Sequence, residues 1–407
     1  MLQFNLAARN LLRNPVRSAV TLGALCFGVV ALLLSGGFIE WIFWAMREAT
    51  VYSRLGHIQI ARRGSLIEGQ PDSGTVTLSD HAPELALVRA SSGVRLVASR
   101  LNFSGLISHG ETTVPFIGEG VEAESERQIS RLLHVVDGRD LSSADTHGII
   151  LGQGLAATLG VKIGAPVVLL TTRAGGGINA VEGRVRGLFF TVSKRYDDSA
   201  LRVPIALARD LLRVSGSHTW IVLLERTEDT QRVLAQVKRQ LLPTSSALEI
   251  RPWNDLADFY NKTVALYSRQ MNILKLIIAL IIVFGIANTM TMNVLERTGE
   301  IGTLMALGNT ASKILGLFLT EGLLLGLIGG CAGVFIGSLL AMLISFVGIP
   351  MPPAPGMSTG FSGEIRLTWN LQFTALSMAV LAALLASAYP AWRASRLNIV
   401  DALRHNR

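Results

Sequence analysis

Four apolar stretches, each long enough to cross a bilayer, constrain this chain more than any other feature of it. A helix needs about 20 predominantly apolar residues to span the hydrocarbon, and residues 19–39, 276–293, 322–350 and 370–392 each supply such a run. Lipid offers the backbone no hydrogen bonds, so each run must satisfy its own amides and carbonyls as a helix. Composition agrees: 16% of the residues are charged, against roughly 25% in an ordinary soluble domain. Arg9, Arg13 and Arg17 ahead of the first run resemble the start of a secretory signal. That run exceeds the roughly 7–15 residues of a signal's apolar core, and Ser35-Gly36-Gly37-Phe38 is a poor cleavage site, so it reads as a signal anchor.

Orientation follows from Lys and Arg in the short flanks, which favour the cytoplasmic side. Arg9, Arg13 and Arg17 lie before the first run and Arg393, Arg396, Arg404 and Arg407 after the last, so both termini are expected in the cytoplasm. Four crossings then bring Arg297 and Lys313 inside as well, and leave a short outer loop with Arg366 alone. The expected layout is a cytoplasmic segment (1–18), span one (19–46), an extracytoplasmic domain (47–270), span two (271–295), a cytoplasmic elbow (296–311), span three (312–347), an outer loop (348–369), span four (370–392) and a cytoplasmic tail (393–407). The formal charge of +8 belongs to these inner flanks; with 6% aromatics and no basic stacking surface, nucleic-acid binding is excluded. Cys26 and Cys331 both lie in apolar runs and form no disulfide framework.

The large insertion reads as mixed α/β, which makes the fold class an α-helical membrane protein with four transmembrane helices and an α/β domain between the first two. Residues 57–60, 113–117 and 220–224 carry strand patterns, 231–242 has helical spacing, and 151–170 reads as a short helix, a glycine turn at Gly160 and Gly164, and a strand. Signals for chemistry are poor. The seven histidines are scattered without metal-ligand pairing, and the domain has no cysteine. Gly175-Gly176-Gly177 is followed by neither a helix start nor Lys-Ser/Thr, so it reads as a loop between strands and not a phosphate cradle. Leu34-Ser35-Gly36-Gly37 spells the start of an ATPase signature inside span one, but the chain has no GxxxxGKS/T loop, and these glycines read as packing positions.

Two further patterns stand out. Between spans two and three, Ile301, Leu304 and Met305 recur at helical spacing beside Glu296, Arg297, Thr298 and Glu300, and Gly308-Asn309 suits a helix stop. A short amphipathic helix is expected there. In span three, Gly322, Gly326 and Gly330 form one four-residue ladder and Gly329, Gly333 and Gly337 a second, which lets another backbone approach closely. Glu321, at the inner end of the same span, needs a partner or the interface, because a carboxylate is costly in lipid.

The stretch ERTGEIGTLMALG, residues 296–308, followed by FLTEG at 318–322, strongly resembles the MacB/FtsX-like permease family of ABC transporters. So do LAARNLLRNPVRSAVT at 6–21, YPAWRASRLNIVDALR at 389–404 and IILGQGLAATLGVKIG at 149–164, with the LolC/LolE-type lipoprotein-releasing permeases similar in architecture. Met305 departs from the family, many members of which have Arg there. The resemblance implies a non-enzymatic permease subunit in the bacterial inner membrane. It would work with two cytoplasmic ABC ATPases that hold ATP and Mg, a second permease, and a periplasmic chaperone or adaptor, with no cofactor bound by this chain itself. It also implies that Glu296, Arg297, Thr298, Glu300, Ile301, Gly302, Leu304, Met305, Leu307 and Gly308 form the coupling helix that receives the ATPase's motion. Lipoprotein release or export of an amphipathic substrate is the implied activity; the alternative is an FtsX-like scaffold that regulates a cell-wall hydrolase.

Overall fold

The computed structural model describes residues 13, 15–66, 77–173, 175–191, 193–243, 247–352 and 360–397. Arg9, Arg404 and Arg407, used above for orientation, lie outside them, as do residues 353–359 of the outer loop. The chain divides into two compact units: Met1–Trp44, Thr263–Pro350 and Ser362–Arg407 form one, and Ala45–Lys262 with Met351–Phe361 the other.

The first unit holds four long helices: span one (Pro15–Thr50), span two (Asp258–Glu296), span three (Ala311–Val347) and span four (Trp369–Ser395). At about 1.5 Å per residue, helices of 36, 39 and 37 residues reach well over 50 Å, past the ~30 Å of hydrocarbon. Span two therefore starts far ahead of residue 271, because nothing between Asp258 and the apolar run breaks the helix and Lys262 pairs with Asp258 one turn away. Thr368 caps span four by accepting a hydrogen bond from the Leu371 amide.

The glycine ladders of span three each meet a different helix. A Cβ on Gly322, Gly326 or Gly330 would fall on Ser387, on Val380 and Ala383, or on Leu376 and Ala379, all of span four. A Cβ on Gly329, Gly333 or Gly337 would instead meet Leu25, Val29 or Leu33 of span one. Span four answers the first ladder with its own small face, in which Ala375, Ala379, Ala382, Ala383 and Ala386 are buried. Gly36 faces Leu371 and Gly37 faces Ile365 and the Arg366 carbonyl, so the glycines of the false ATPase signature are packing positions. Span two lies along span one through Ile278 and Ile282 against Gly28, and Thr21 donates a 3.0 Å hydrogen bond to Thr289.

The second unit is built on a mixed ten-stranded sheet: β1 (Ile58–Arg62), β2 (Val94–His109), β3 (Thr112–Val121), β4 (His134–Gly138), β5 (Gly148–Gly152), β6 (Pro166–Thr172), β7 (Ile178–Phe190), β8 (Ala200–Pro204), β9 (Thr219–Leu224) and β10 (Leu248–Pro252). The order is β10-β1-β9-β2-β3-β8-β5-β7-β4, with β6 paired to β2 and β7. The expected short helix is Gln153–Leu159, ended by Gly160 in the left-handed region at φ 66°. The glycine triplet turns the β6–β7 hairpin, with Gly176 and Gly177 at φ 83° and 82°. The two larger cores of this unit lie under helices: Gln153–Leu159 and Ile205–Leu212 cover β2, β3 and β5–β8, while Pro83–Arg89 and Thr230–Leu241 cover β1, β9 and β10. Between span one and β1 comes a π-turn, Val51–Leu55, which sequence periodicity did not reveal.

The ladders generate a prediction. Gly326→Leu would drive a side chain into the Val380 Cα at 2.9 Å, and Gly333→Leu into Val29 and the Cys26 carbonyl at 3.1 Å. Each should cost about 1–3 kcal/mol, read as a lower thermal midpoint in mild detergent with expression and insertion checked separately. Unchanged midpoints in both variants would show that these helices do not pack so closely.

Candidate functional site

The elbow between spans two and three is a helix over Thr298–Ala306. The Thr298 hydroxyl donates to the carbonyls of Val294 and Leu295, at 3.0 and 2.8 Å, which ties the helix start to the end of span two. At the other end Gly308 stands at φ 91°, a conformation that favours glycine and lets the chain turn into span three. The apolar stripe is not free. Ile301 is buried and Leu304 and Met305 are half-buried against Val294, Ile314, Phe318, Ala391 and Ala394 of the protein's own spans. Of the ten residues expected to couple, Ile301 and Gly302 are buried; Arg297, Thr298, Glu300, Leu304 and Met305 are half-buried; Glu296, Leu307 and Gly308 are exposed. A partner therefore finds the polar edge and the Leu307 end, with Leu307 77% exposed.

A chain of charges fixes the elbow to its neighbours. The Arg297 guanidinium donates from Nη1 to Glu321 Oε1 at 3.0 Å and from Nε to Glu300 Oε2 at 3.1 Å, and lies over the Phe318 ring. Arg13 adds a contact to Glu300 at 2.5 Å. Burial would push the Glu300 carboxyl up, but hydrogen bonds and charge from Arg13 and Arg297 hold it below the usual carboxylate range. The members differ in weight. Arg13 is exposed and the Glu300 side chain keeps 42% of its surface in solvent, and such a pair contributes about 0–1 kcal/mol. Glu321 is 1% exposed, so losing its partner would strand a buried charge. The inner pair thus sets the geometry: one guanidinium joins the elbow to span three, and its second carboxylate reaches Arg13 ahead of span one.

The α/β unit holds a second charge cluster that the sequence reading missed. Arg100 of β2, Glu119 of β3, Arg202 of β8 and Glu126 of the helix Ala123–Ile129 are all buried. Arg202 Nε meets Glu119 Oε2 at 2.9 Å, Arg100 Nη2 meets Glu126 Oε1 at 2.6 Å, and Arg54 Nε meets Glu119 Oε1 at 3.0 Å. Burial alone would raise the Glu119 carboxyl; Arg100, Arg202 and Arg54 together bring it down to about 2. Other donors reach the π-turn: Arg100 donates to the Arg54 carbonyl at 2.6 Å, Arg202 to the Ser53 carbonyl at 3.2 Å, and Ser130 to the same oxygen at 3.0 Å. Carbonyls that a π-turn leaves open are thereby satisfied. The available signal was local: Gly118-Glu119-Gly120 puts an acid between two residues without side chains, and Arg202 is the single charge of the apolar strand Ala200–Pro204.

Comparison with known proteins adds the following. The MacB-like periplasmic core domain model matches residues 18–240, and the FtsX-like permease C-terminal model matches residues 272–399. An uncharacterized ABC transporter permease of Methanocaldococcus jannaschii is 26% identical over 66% of this chain, which spans 65% of that protein's length. The lipoprotein-releasing system transmembrane protein LolC of Xylella fastidiosa is 24% identical over 74% of this chain and 76% of its own. Among solved structures, the periplasmic region of MacB from Actinobacillus actinomycetemcomitans aligns over 53% of this chain and 95% of its own, at 12% identity and a TM-score of 0.37.

Two expected outcomes follow from the charges. Glu321→Gln and Arg297→Gln should each lower stability by about 1–3 kcal/mol, and the double variant should cost less than their sum; full additivity in thermal unfolding would mean that the two groups do not interact. Glu119→Gln leaves buried guanidiniums short of a carboxylate and should cost about 3–5 kcal/mol. Because its carboxyl is depressed from an unfolded value near about 4.3, its stabilisation is complete above that value and is lost as pH falls through about 2. Acid titration followed by tryptophan fluorescence should therefore be steeper below pH ~4 in the parent than in Glu119→Gln; parallel curves would contradict the assignment.

Proposed function

The chain belongs to the family of permeases that combine a MacB-like periplasmic core with an FtsX-like C-terminal half, and we propose that it is the membrane subunit of an ABC transporter that passes motion from a cytoplasmic ATPase to its α/β domain. The observation that carries this reading is the elbow held by Arg297 between Glu300 and Glu321. A helix braced by a shared guanidinium moves as one body with span three. A push on its exposed Leu307 end would then displace the span and leave the loop intact. Rigid elements with discrete arrangements are what carry coupling between distant sites.

In this reading both termini and the elbow face the cytoplasm of a bacterial cell, and two ATPase subunits hold ATP and Mg. A second permease, either a copy or a different chain, completes the membrane part. The α/β domain acts outside the membrane. Its substrate class is a lipoprotein or another amphipathic molecule, supported by the LolC relative. A periplasmic chaperone or adaptor would receive that substrate.

The contact is tested at Leu307. Leu307→Glu puts a charge on the exposed end of the elbow without touching the Arg297 pairs. It should lower the amount of co-purified ATPase about tenfold, equivalent to about 1.4 kcal/mol, while insertion and thermal midpoint stay at the parent level. Full ATPase recovery would remove the elbow from the contact. Identification of lipoprotein in the purified complex supports the substrate class, whereas a co-purified cell-wall hydrolase and no lipid-modified cargo would replace it with the scaffold role.

A further inference from the structure

Two neighbouring strands of the α/β sheet send the chain to opposite faces, and a crevice opens where they part. β3 and β8 run parallel and stay in register to their last pair, Val121 with Pro204. β3 then continues into the helix Ala123–Ile129 and β8 into Ile205–Leu212. A Cβ on Gly120 would collide with Ala208, so the second helix covers the face of Gly120. Glu119, one residue earlier, points to the other face. There Arg202 joins it, at 2.9 Å, to Glu126 of the first helix, at 3.3 Å. The two helices therefore lie on opposite sides of the sheet, which makes this strand pair a topological switch point. In α/β sheets the crevice beyond the carboxyl ends of such strands is where ligands bind.

The crevice has a volume of about 530 Å³, within the ~300–1,000 Å³ of small-molecule sites. Residues 121–125 form one wall, 204–207 with Asp210 a second, and the loop ahead of β5 a third. Its apolar part comes from Val121, Ala123, Pro204, Ile205, Ala206 and Leu207. Its charge is one-sided: Glu122, Glu124, Asp145 and Asp210 line it, and among the described residues His147 is its one basic side chain. Most of these carboxylates are already matched, Glu124 by Arg127 at 3.5 Å, Asp210 by Arg213 at 2.9 Å and Asp145 by Arg139 at 2.8 Å. Glu122 is different. It is half-buried, does not cap the helix that follows it, and among the described residues accepts only the Ser125 hydroxyl, at 3.2 Å.

We propose that this crevice binds a small amphipathic amine, with the ammonium on Glu122 and the apolar body against Val121, Ala123 and Ile205. An ammonium supplies the charge-assisted donors that a carboxylate with spare lone pairs accepts. An anion would meet carboxylates on every wall, and no group of three His, Cys, Asp or Glu is placed to hold a metal ion among the described residues. No side chain caps the helix Ile205–Leu212, so its first amides suit a neutral oxygen on the same ligand. The site deepens the reading of the α/β domain as the part that meets an amphipathic molecule, and rests on that reading only for the ligand's being cargo.

The test uses the full chain in nanodiscs, with naphthylmethylamine as probe and its neutral and anionic counterparts, naphthylmethanol and naphthoate, beside it. In a Cys26→Ser, Cys331→Ala background, Ala206→Cys reports occupancy through its rate of maleimide labelling, and Val136→Cys on the outermost strand β4 is the distant control. The amine should slow labelling at Ala206→Cys about threefold or more and leave Val136→Cys unchanged, with half-protection about five- to tenfold weaker for the alcohol and weaker still for the carboxylate. Glu122→Gln should raise the half-protecting amine concentration about five- to tenfold, whereas Glu124→Gln, which removes a carboxylate already paired with Arg127, should raise it less than about twofold. Equal protection by amine and carboxylate, equal effects of Glu122→Gln and Glu124→Gln, or equal slowing at Val136→Cys would overturn the site. No ATPase is needed for the readout, so absent protection and an absent ATPase contact are separate results.

Discussion

A carboxylate in the wall of a helix bundle has to be balanced locally, and the arrangement of the elbow depends on how Glu321 meets that demand. Its partner comes from Arg297, at the junction where span two hands over to the elbow helix. Because the same guanidinium also holds Glu300, the elbow cannot tilt away from span three without separating one of the two pairs. The apolar stripe then has no choice of neighbour and closes over Ile314, Phe318 and the end of span four. Charge pairing gives the direction, and burial of Ile301 fills the space beneath.

The two units meet the cost of buried polar groups differently. In the α/β unit, four buried ionisable groups pair with one another while Arg100 and Arg202 also donate to carbonyls of the π-turn and Glu119 accepts from its Arg54, so that the turn is held by side chains from three strands. Such a set adds less net stability than its charges suggest, since desolvation offsets much of the attraction. What it does supply is a single permitted geometry. In the membrane unit the same end is reached by removing atoms: glycine and alanine faces let backbones approach, and dispersion between them replaces the hydrophobic drive that lipid abolishes.

Much of this architecture was legible in the residues alone. Apolar length is a local property, so the four spans and the inserted domain could be read directly, as could the elbow helix from its stripe and its Gly308 stop. The six glycines of span three were readable as close-packing positions, yet which helix each ladder meets depends on residues some 50 to 300 positions away. The stripe illustrates a different limit. Ile301, Leu304 and Met305 announce an amphipathic helix, and periodicity cannot say whether the apolar side is offered to a partner or used at home. The buried cluster was hidden for a third reason. Arg54, Arg100, Glu119, Glu126 and Arg202 come from five elements, and only the sheet order β2-β3-β8 brings their charges together.

Gly329 and Gly330 are adjacent in sequence but belong to different ladders, one against span one and the other against span four. Neighbouring residues on a helix point about 100° apart, so span three is gripped from two directions at the same height. A rod held in this way has lost the freedom to spin about its own long axis. What remains to it is tilt or travel along that axis, and in either case it carries the two helices that grip it.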